Sequence, residues 1–387
     1  MLSLSADQKK VLDRLLVWQK EPHGGFITLG GYAGTGKTSL IGVYRQKLHH
    51  NKPKLKVAFA SFTGRAARVL KKALLDQKAL LEEQDFVGTI HSLIYSPIID
   101  KKGQIAGWEK RPTIKFDLII IDEASMVDEA IWQDLLSYQI PIVAVGDHGQ
   151  LPPIRGRFNL MKRPDLRLEN IHRQAQNNPI IKVATIARQH GTIPALEFGP
   201  QVLKIKKTSL EAAEKVADWL ASYQPGMLVL CGYNHTRIRL NAQIRKNLGF
   251  DSPLPQSGDR VICLRNNHEK GIYNGMLGTI NFVEKKNKEW YVSEIAMDEE
   301  KDLYGGLIFA DQFNSKETLN FTDQRNRLAG GDLFDFGYAL TVHKAQGTQG
   351  KKVVLFEERF AKSGDEDWRR WLYTAVTRAE EELYIIG

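Results

Sequence analysis

Apolar and polar positions alternate along the first half of this chain in a pattern of short apolar runs separated by longer stretches with helical spacing. FITLGG (26–31), VAFASF (57–62), DLIIID (117–122) and IPIVAVGD (140–147) are the strand candidates, with TSLIGVYRQKL and GRAARVLKKALL as helices between them. Strands alternating with helices predict a parallel α/β sheet. MLVLCG (227–232) opens a second series, which resumes with FGYALTV (336–342) and VVLFEE (353–358). Two segments break the rhythm. At about 93–113, SPIIDKKGQIAGWEKRP places a Lys-Gly turn between two short extended runs, which predicts a β-hairpin. From about 266 to 331, GTINFVEKKNKEWYVSEIAM and GGLIFAD are rich in strand formers and show no helical period, which predicts a small all-β insertion.

Composition narrows the class. The chain has 387 residues, room for two or three domains, with 42% hydrophobic and 26% charged residues. No apolar stretch nears the roughly 20 residues of a membrane span. The start, MLSLSADQKK, lacks the basic and apolar regions of a secretory signal, so an intracellular, cytoplasmic protein is expected. The two cysteines, Cys231 and Cys263, sit in apolar runs and read as buried structural thiols, not as a disulfide framework or a zinc site. A net charge of +9 favours a polyanionic partner such as nucleic acid, although a solvated lysine face produces the same number.

The chemistry is concentrated in a few motifs. GYAGTGKT, Gly31 to Thr38, follows a strand and precedes a helix, the setting that a phosphate-binding loop requires. Backbone N–H groups across Gly31, Ala33, Gly34, Thr35 and Gly36, continuing into Thr38 and Ser39, can cradle the phosphates of ATP or GTP. Lys37 is placed for the β- and γ-phosphates and Thr38 for Mg²⁺. In DLIIIDEAS an apolar strand ends in Asp122, a candidate Mg²⁺ ligand, and Glu123, a candidate for orienting or deprotonating water. Strand-end acids also precede helices for structural reasons, and Ser125 with Asp128 has capping-box spacing. In AVGDHGQLPPI, Gln150 follows another strand end and is placed to sense the γ-phosphate; a polar turn before Pro152 and Pro153 is the structural alternative.

The ordered set of GYAGTGKT, DEAS, GDHGQLPP, VHKAQG and YTAVTRA resembles superfamily 1 DNA helicases, in particular the RecD-like group and its phage Dda-type members. The resemblance runs over nearly the whole chain. It implies two RecA-like domains with parallel sheets, at 1–175 and at 176–265 plus 332–387. A hairpin pin at about 93–113 would be inserted in the first, and an SH3-like β domain at 266–331 in the second. It implies ATP and Mg²⁺ between the domains, with Arg173 in LENIHRQ and Arg378 in YTAVTRA directed at the γ-phosphate, and Gln346 and Gly347 beside it. Gln8 in LSADQKKVL matches the adenine-contacting glutamine, though Ser5 and Gln8 also have capping-box spacing. Thr63, Gly64 and Arg65 of SFTGRAA, Thr89 and His91 of GTIHS, and Thr341 and His343 match the DNA-contacting positions. Trp108 falls where the pin would meet a duplex, either stacking on an exposed base pair or anchoring the hairpin.

The activity so implied is ATP-driven translocation 5′ to 3′ on single-stranded DNA with strand separation at duplex forks. The protein would act as a monomer, with single-strand-binding or replisome proteins as partners, and a phage origin would place it in the host cytoplasm. Two other classes compete. An ATP-controlled DNA-binding switch does not need the hydrolytic set of Glu123, Gln150, Arg173 and Arg378, and an ATP-dependent nuclease would need a second acidic cluster, of which the sequence shows none.

Overall fold

The computed structural model describes residues 4–20, 25–99, 105–153, 158–170, 177–267, 269–298, 300, 302–319 and 325–387. The chain divides into two compact units, Met1–Lys182 and Val183–Gly387.

The first unit is built on a six-stranded, all-parallel sheet. Its strands are β1 (Phe26–Gly31), β2 (Val57–Ser61), β3 (Phe86–Thr89), β6 (Leu118–Asp122), β7 (Ile142–Gly146) and β8 (Leu166–Leu168). They lie in the order β3-β2-β6-β7-β1-β8. Both faces are covered, which is why the strands read as unbroken apolar runs. Leu118 and Ile120 join Leu29, Phe59 and Val143 in one core with helices α1 (Ala6–Trp18), α2 (Lys37–Asn51) and α3 (Gly64–Asp76). Ile119 and Ile121 face the other way and pack with Ala58, Ala144, Leu93 of α4 (Ile90–Ile94) and Trp132 of α5 (Glu129–Leu136). An antiparallel hairpin, β4 (Tyr95–Ile99) with β5 (Ile105–Lys110), follows α4 directly.

The second unit holds two sheets. One has the order β17-β11-β18-β19-β10-β9, from β9 (Glu197–Gly199), β10 (Val202–Ile205), β11 (Met227–Cys231), β17 (Ala339–Thr341), β18 (Gly350–Phe356) and β19 (Ala379–Ile386). All its pairings are parallel except β9 with β10. The other is antiparallel, β15-β14-β13-β12-β16, from β12 (Arg260–Cys263), β13 (Leu277–Lys285), β14 (Trp290–Met297), β15 (Tyr304–Phe309) and β16 (Phe334–Phe336). Its first and last strands lie outside the 266–331 expected from sequence.

The run FGYALTV, expected as one strand, is divided between the two sheets. Phe336 ends β16, and Ala339 begins β17. Gly337 makes the changeover possible, since a Cβ there would stand 2.7 Å from the Val261 carbonyl carbon. Buried ion pairs hold the antiparallel sheet to the helix Asn234–Asn247. Arg237 binds Asp335 at 2.7 Å, and Arg245 binds Asp259 at 2.8 Å. Among the described residues, no helix is long and apolar enough to cross a membrane.

Candidate nucleotide and nucleic-acid site

In open parallel sheets ligands bind beyond the carboxyl ends of the strands, and the first unit gathers most of its candidate residues there. The loop from the end of β1 into α2 needs its glycines. Gly34 and Gly36 have φ of +78° and +76°, and a Cβ on Gly31 would lie 2.7 Å from Thr35 Oγ1. Gly36 caps α2 in this left-handed conformation, so the first N–H groups of the helix, through Thr38 and Ser39, open onto the loop. The Lys37 ammonium donates to the carbonyls of Gly31 at 2.7 Å and Tyr32 at 3.1 Å, which holds it at the mouth of the loop. Ala33 completes the turn.

Gln8 serves the fold in two ways. Its Oε1 accepts from Ser5 N at 3.0 Å, closing the capping box of α1, and its Nε2 donates to the Thr35 carbonyl at 3.1 Å. The side chain is buried. It therefore links the start of α1 to the phosphate-binding loop.

Asp122 ends β6, and the backbone turns abruptly after it. Glu123 adopts φ +55° and ψ +38°, a left-handed conformation that non-glycine residues seldom take. The turn lets Glu123 N–H donate to Asp122 Oδ1 at 3.0 Å. Burial and the neighbouring Glu123 carboxylate push the Asp122 carboxyl up to about 6, with the Lys37 ammonium pulling the other way. The capping box of Ser125 with Asp128 does not form. Asp128 caps α5 through Ile131 N at 2.9 Å, and the buried Ser125 hydroxyl has no hydrogen-bond partner among the described residues.

A second such hydroxyl belongs to Ser61 at the end of β2, fully buried and in register with Asp122 on the adjacent strand. Register partners leave a sheet on the same face, so Ser61 and Asp122 project together. Sequence reading passed over Ser61 and gave Ser125 only a capping role; a small polar residue ending a buried strand was the available signal for Ser61. Next to them, Asp147 and Gln150 are buried, with Asp147 accepting from Gly149 N at 2.9 Å.

The candidate DNA residues of this unit continue along the same edge of the sheet. Thr63 caps α3 through Ala66 N at 3.2 Å, which puts Gly64 and Arg65 in the helix's first turn. Thr89 caps α4 through Ser92 N at 3.1 Å, and Ser61 and Thr89 are register partners. His91 lies on α4 with its ring 5.4 Å from Tyr95, and burial holds its imidazole below the usual range. Trp108 is exposed on β5, opposite Pro97. Arg173 lies outside the described residues.

In the second unit the candidates fall into two groups. Arg378 is buried just before β19, donating to the carbonyls of Thr374 at 3.0 Å and Thr348 at 3.4 Å. The second bond ties it to the loop that leads into β18 and carries Gln346, buried, and Gly347, at φ +74°. Thr341 ends β17, so Thr341 and His343 lie towards the carboxyl ends of the strands while Arg378 and Gly347 lie towards the amino ends of β18 and β19. The His343 ring is 6.1 Å from Phe360, and burial lowers its pKa.

Comparison with known proteins agrees with this layout. The profile of the family described as an AAA domain matches residues 3–208, just over half of the chain, and that of the UvrD-like helicase C-terminal domain matches 336–386. An ATP-dependent RecD2 DNA helicase from Deinococcus radiodurans is 27% identical over 412 residues, covering 99% of this chain and 49% of that protein. The RecBCD enzyme subunit RecD of Buchnera aphidicola is 25% identical, covering 94% and 70%. This chain thus spans about half the length of the Deinococcus relative. The crystal structure of Pif1 helicase from Bacteroides in complex with ADP-AlF3 and ssDNA has a TM-score of 0.55 at 17% identity, covering 100% of this chain and 92% of that one, so the fold of two RecA-like domains is shared. The chain belongs to the AAA-domain family, and its relatives are consistent with the RecD-like group of superfamily 1 helicases.

Proposed function

We propose that this protein is an ATP-dependent DNA helicase that translocates 5′ to 3′ on single-stranded DNA and separates duplex strands. The observation that carries the reading is the joint placement, at one sheet edge, of a left-handed glycine loop, Lys37, the Asp122–Glu123 pair and the residues Thr63 to Arg65.

The residues fit Mg²⁺–ATP. The loop presents N–H groups and a lysine to the phosphates, and Thr38 and Asp122 would hold the cation. The buried hydroxyls of Ser61 and Ser125 have room in their hydrogen-bonding for the cation's water shell. The cation, when bound, neutralises charge on the β- and γ-phosphate oxygens. Glu123 orients or deprotonates the attacking water, and Gln150 senses the γ-phosphate from its turn. Arg378 and Arg173 stabilise charge on the transferred group. Gln346 and Gly347 sit beside the nucleotide. Gln8, already bonded to Thr35, couples an adenine contact to the shape of the loop.

On the nucleic acid, the hydroxyls and N–H groups of Thr63, Gly64 and Thr89 with Arg65, His91, Thr341 and His343 contact the backbone without reading sequence. Cycles of closure around ATP and reopening after hydrolysis move the strand. The protein works as a monomer at forks and meets single-strand-binding or replisome proteins in the cytoplasm.

The test is ATP turnover with and without single-stranded DNA. Turnover should depend on Mg²⁺ and rise on adding the strand, and Lys37→Ala should abolish it while leaving strand binding largely intact. Near-normal hydrolysis by Lys37→Ala would remove this nucleotide site.

A further inference from the structure

At the carboxyl end of β11 the turn Gly232–Tyr233–Asn234 enters the helix Asn234–Asn247, and two rings stand on it. Tyr233 and His235 are stacked, with centroids 5.2 Å apart and planes 24° from parallel. His235 is exposed and Tyr233 half-buried. The Tyr233 ring meets Phe360 edge-on at 5.0 Å, and its hydroxyl donates to the Arg359 carbonyl at 3.1 Å.

The support under this pair is unusually firm. Glu358, just past the end of β18, accepts from Gly232 N at 2.9 Å, Tyr233 N at 3.2 Å and Thr236 Oγ1 at 2.6 Å. One carboxylate thus fixes the turn that leads into the helix, which has no side-chain cap of its own. Gly232 has no space for a side chain, since a Cβ would stand 2.9 Å from the Glu358 carbonyl oxygen. Packing alone does not call for an exposed imidazole stacked on a tyrosine that is fixed in this way.

The location supplies the ligand class. β11 pairs with β17 so that Cys231 is opposite Thr341, which puts the ring pair at the same sheet edge as Thr341 and His343. Phe360 bridges the two groups, being 5.0 Å from Tyr233 and 6.1 Å from His343. The helix that begins here also contributes Asn234 and Arg237 to a small cavity shared with Lys344, whose ammonium has the neutral Thr318 hydroxyl at 3.1 Å as its partner. Arg237 there is already paired with Asp335, so a flat ring surface beside the Lys344 ammonium suits a nucleotide unit of a single strand, base on the rings and phosphate towards that ammonium.

We propose that Tyr233 and His235 form a base-stacking platform for single-stranded nucleic acid in the second unit, a subsite within the strand-binding reading given above. It makes affinity depend on the presence of a base without depending on which base it is, because every base offers a π-face.

The experiment measures binding of a twelve-nucleotide oligothymidylate and of an abasic strand of equal length and charge. The wild-type protein should bind the abasic strand more weakly, by roughly 5- to 150-fold for one lost stack. His235→Ala should weaken binding of the intact strand and leave the abasic strand unchanged, and His235→Phe should restore the difference. If the wild-type protein binds both strands alike and His235→Ala changes neither, the platform is refuted while strand binding stands. A rise in the KM for ATP in His235→Ala with unchanged strand binding would also overturn it, by assigning the rings to the nucleotide. Failure of the wild-type protein to bind either strand would instead refute the helicase reading itself.

Discussion

Replacing Glu123 by glycine and, separately, by alanine should separate catalysis from backbone strain. A β-carbon in the left-handed region costs about 1–2 kcal/mol, and Glu123 bears that cost at φ +55° to turn its N–H onto Asp122. Burial and the Glu123 carboxylate together push the Asp122 carboxyl up to about 6, and both replacements remove only the carboxylate, so each gains equally from relieved repulsion. They differ in the backbone. Alanine keeps the strain, whereas glycine removes it but loses about 0.4–1 kcal/mol through the greater freedom of its unfolded chain. Glu123→Gly should therefore be more stable than Glu123→Ala by about 1 kcal/mol. For a unit the size of Met1–Lys182, that is a difference of about 2–4 °C in Tm. Scanning calorimetry reads it on the transition of the first unit, and ATP turnover should be lost in both variants. Equal stability, or a more stable alanine variant, would refute the claim that strain is held at this carboxylate. Normal turnover in either would remove Glu123 from the chemistry.

Two further predictions test the scaffold and the pin. Arg45 and Asp85 form a fully buried, two-pronged ion pair at 2.9 Å, so Arg45→Met should cost about 3–5 kcal/mol in urea denaturation by stranding the carboxylate, and a loss below 1 kcal/mol would contradict this. Trp108→Ala, at an exposed site on the hairpin, should cut duplex unwinding severely while sparing strand-stimulated ATP hydrolysis and Tm; a joint fall of both activities, or a lower Tm, would make Trp108 an anchor.

The first unit was largely legible because its strands are buried on both faces and its loops announce themselves. FITLGG is a strand over its full expected range, and GYAGTGKT needs glycine at the two positions where φ is positive. Local pattern failed where pairing partners decide the outcome. Nothing within FGYALTV marks the point where one sheet gives way to another; the close approach of Val261 to Gly337 does so, from more than seventy residues away. The strand Leu166–Leu168 is too short to show alternation and exists because β1 offers it an edge. At the site, residue identities were readable but their mutual bonds were not. Gln8 had two competing readings, and the structure shows its capping-box bond together with one to the phosphate loop. The left-handed Glu123 had no signal, since glutamate is not a residue that favours such a turn. The hydroxyls of Ser61 and Ser125, which have no hydrogen-bond partner among the described residues, are likewise a property of packing, visible only once the strands are in register.

Strand separation on tailed duplexes is the most direct test of the central claim. With ATP and Mg²⁺, the protein should separate a duplex carrying a 5′ single-stranded tail and leave blunt and 3′-tailed duplexes paired. Separation of the 3′-tailed duplex in preference to the 5′-tailed one would contradict the direction. ATP hydrolysis stimulated by single strands with no separation of any duplex would contradict the helicase itself, leaving an ATP-controlled strand-binding protein.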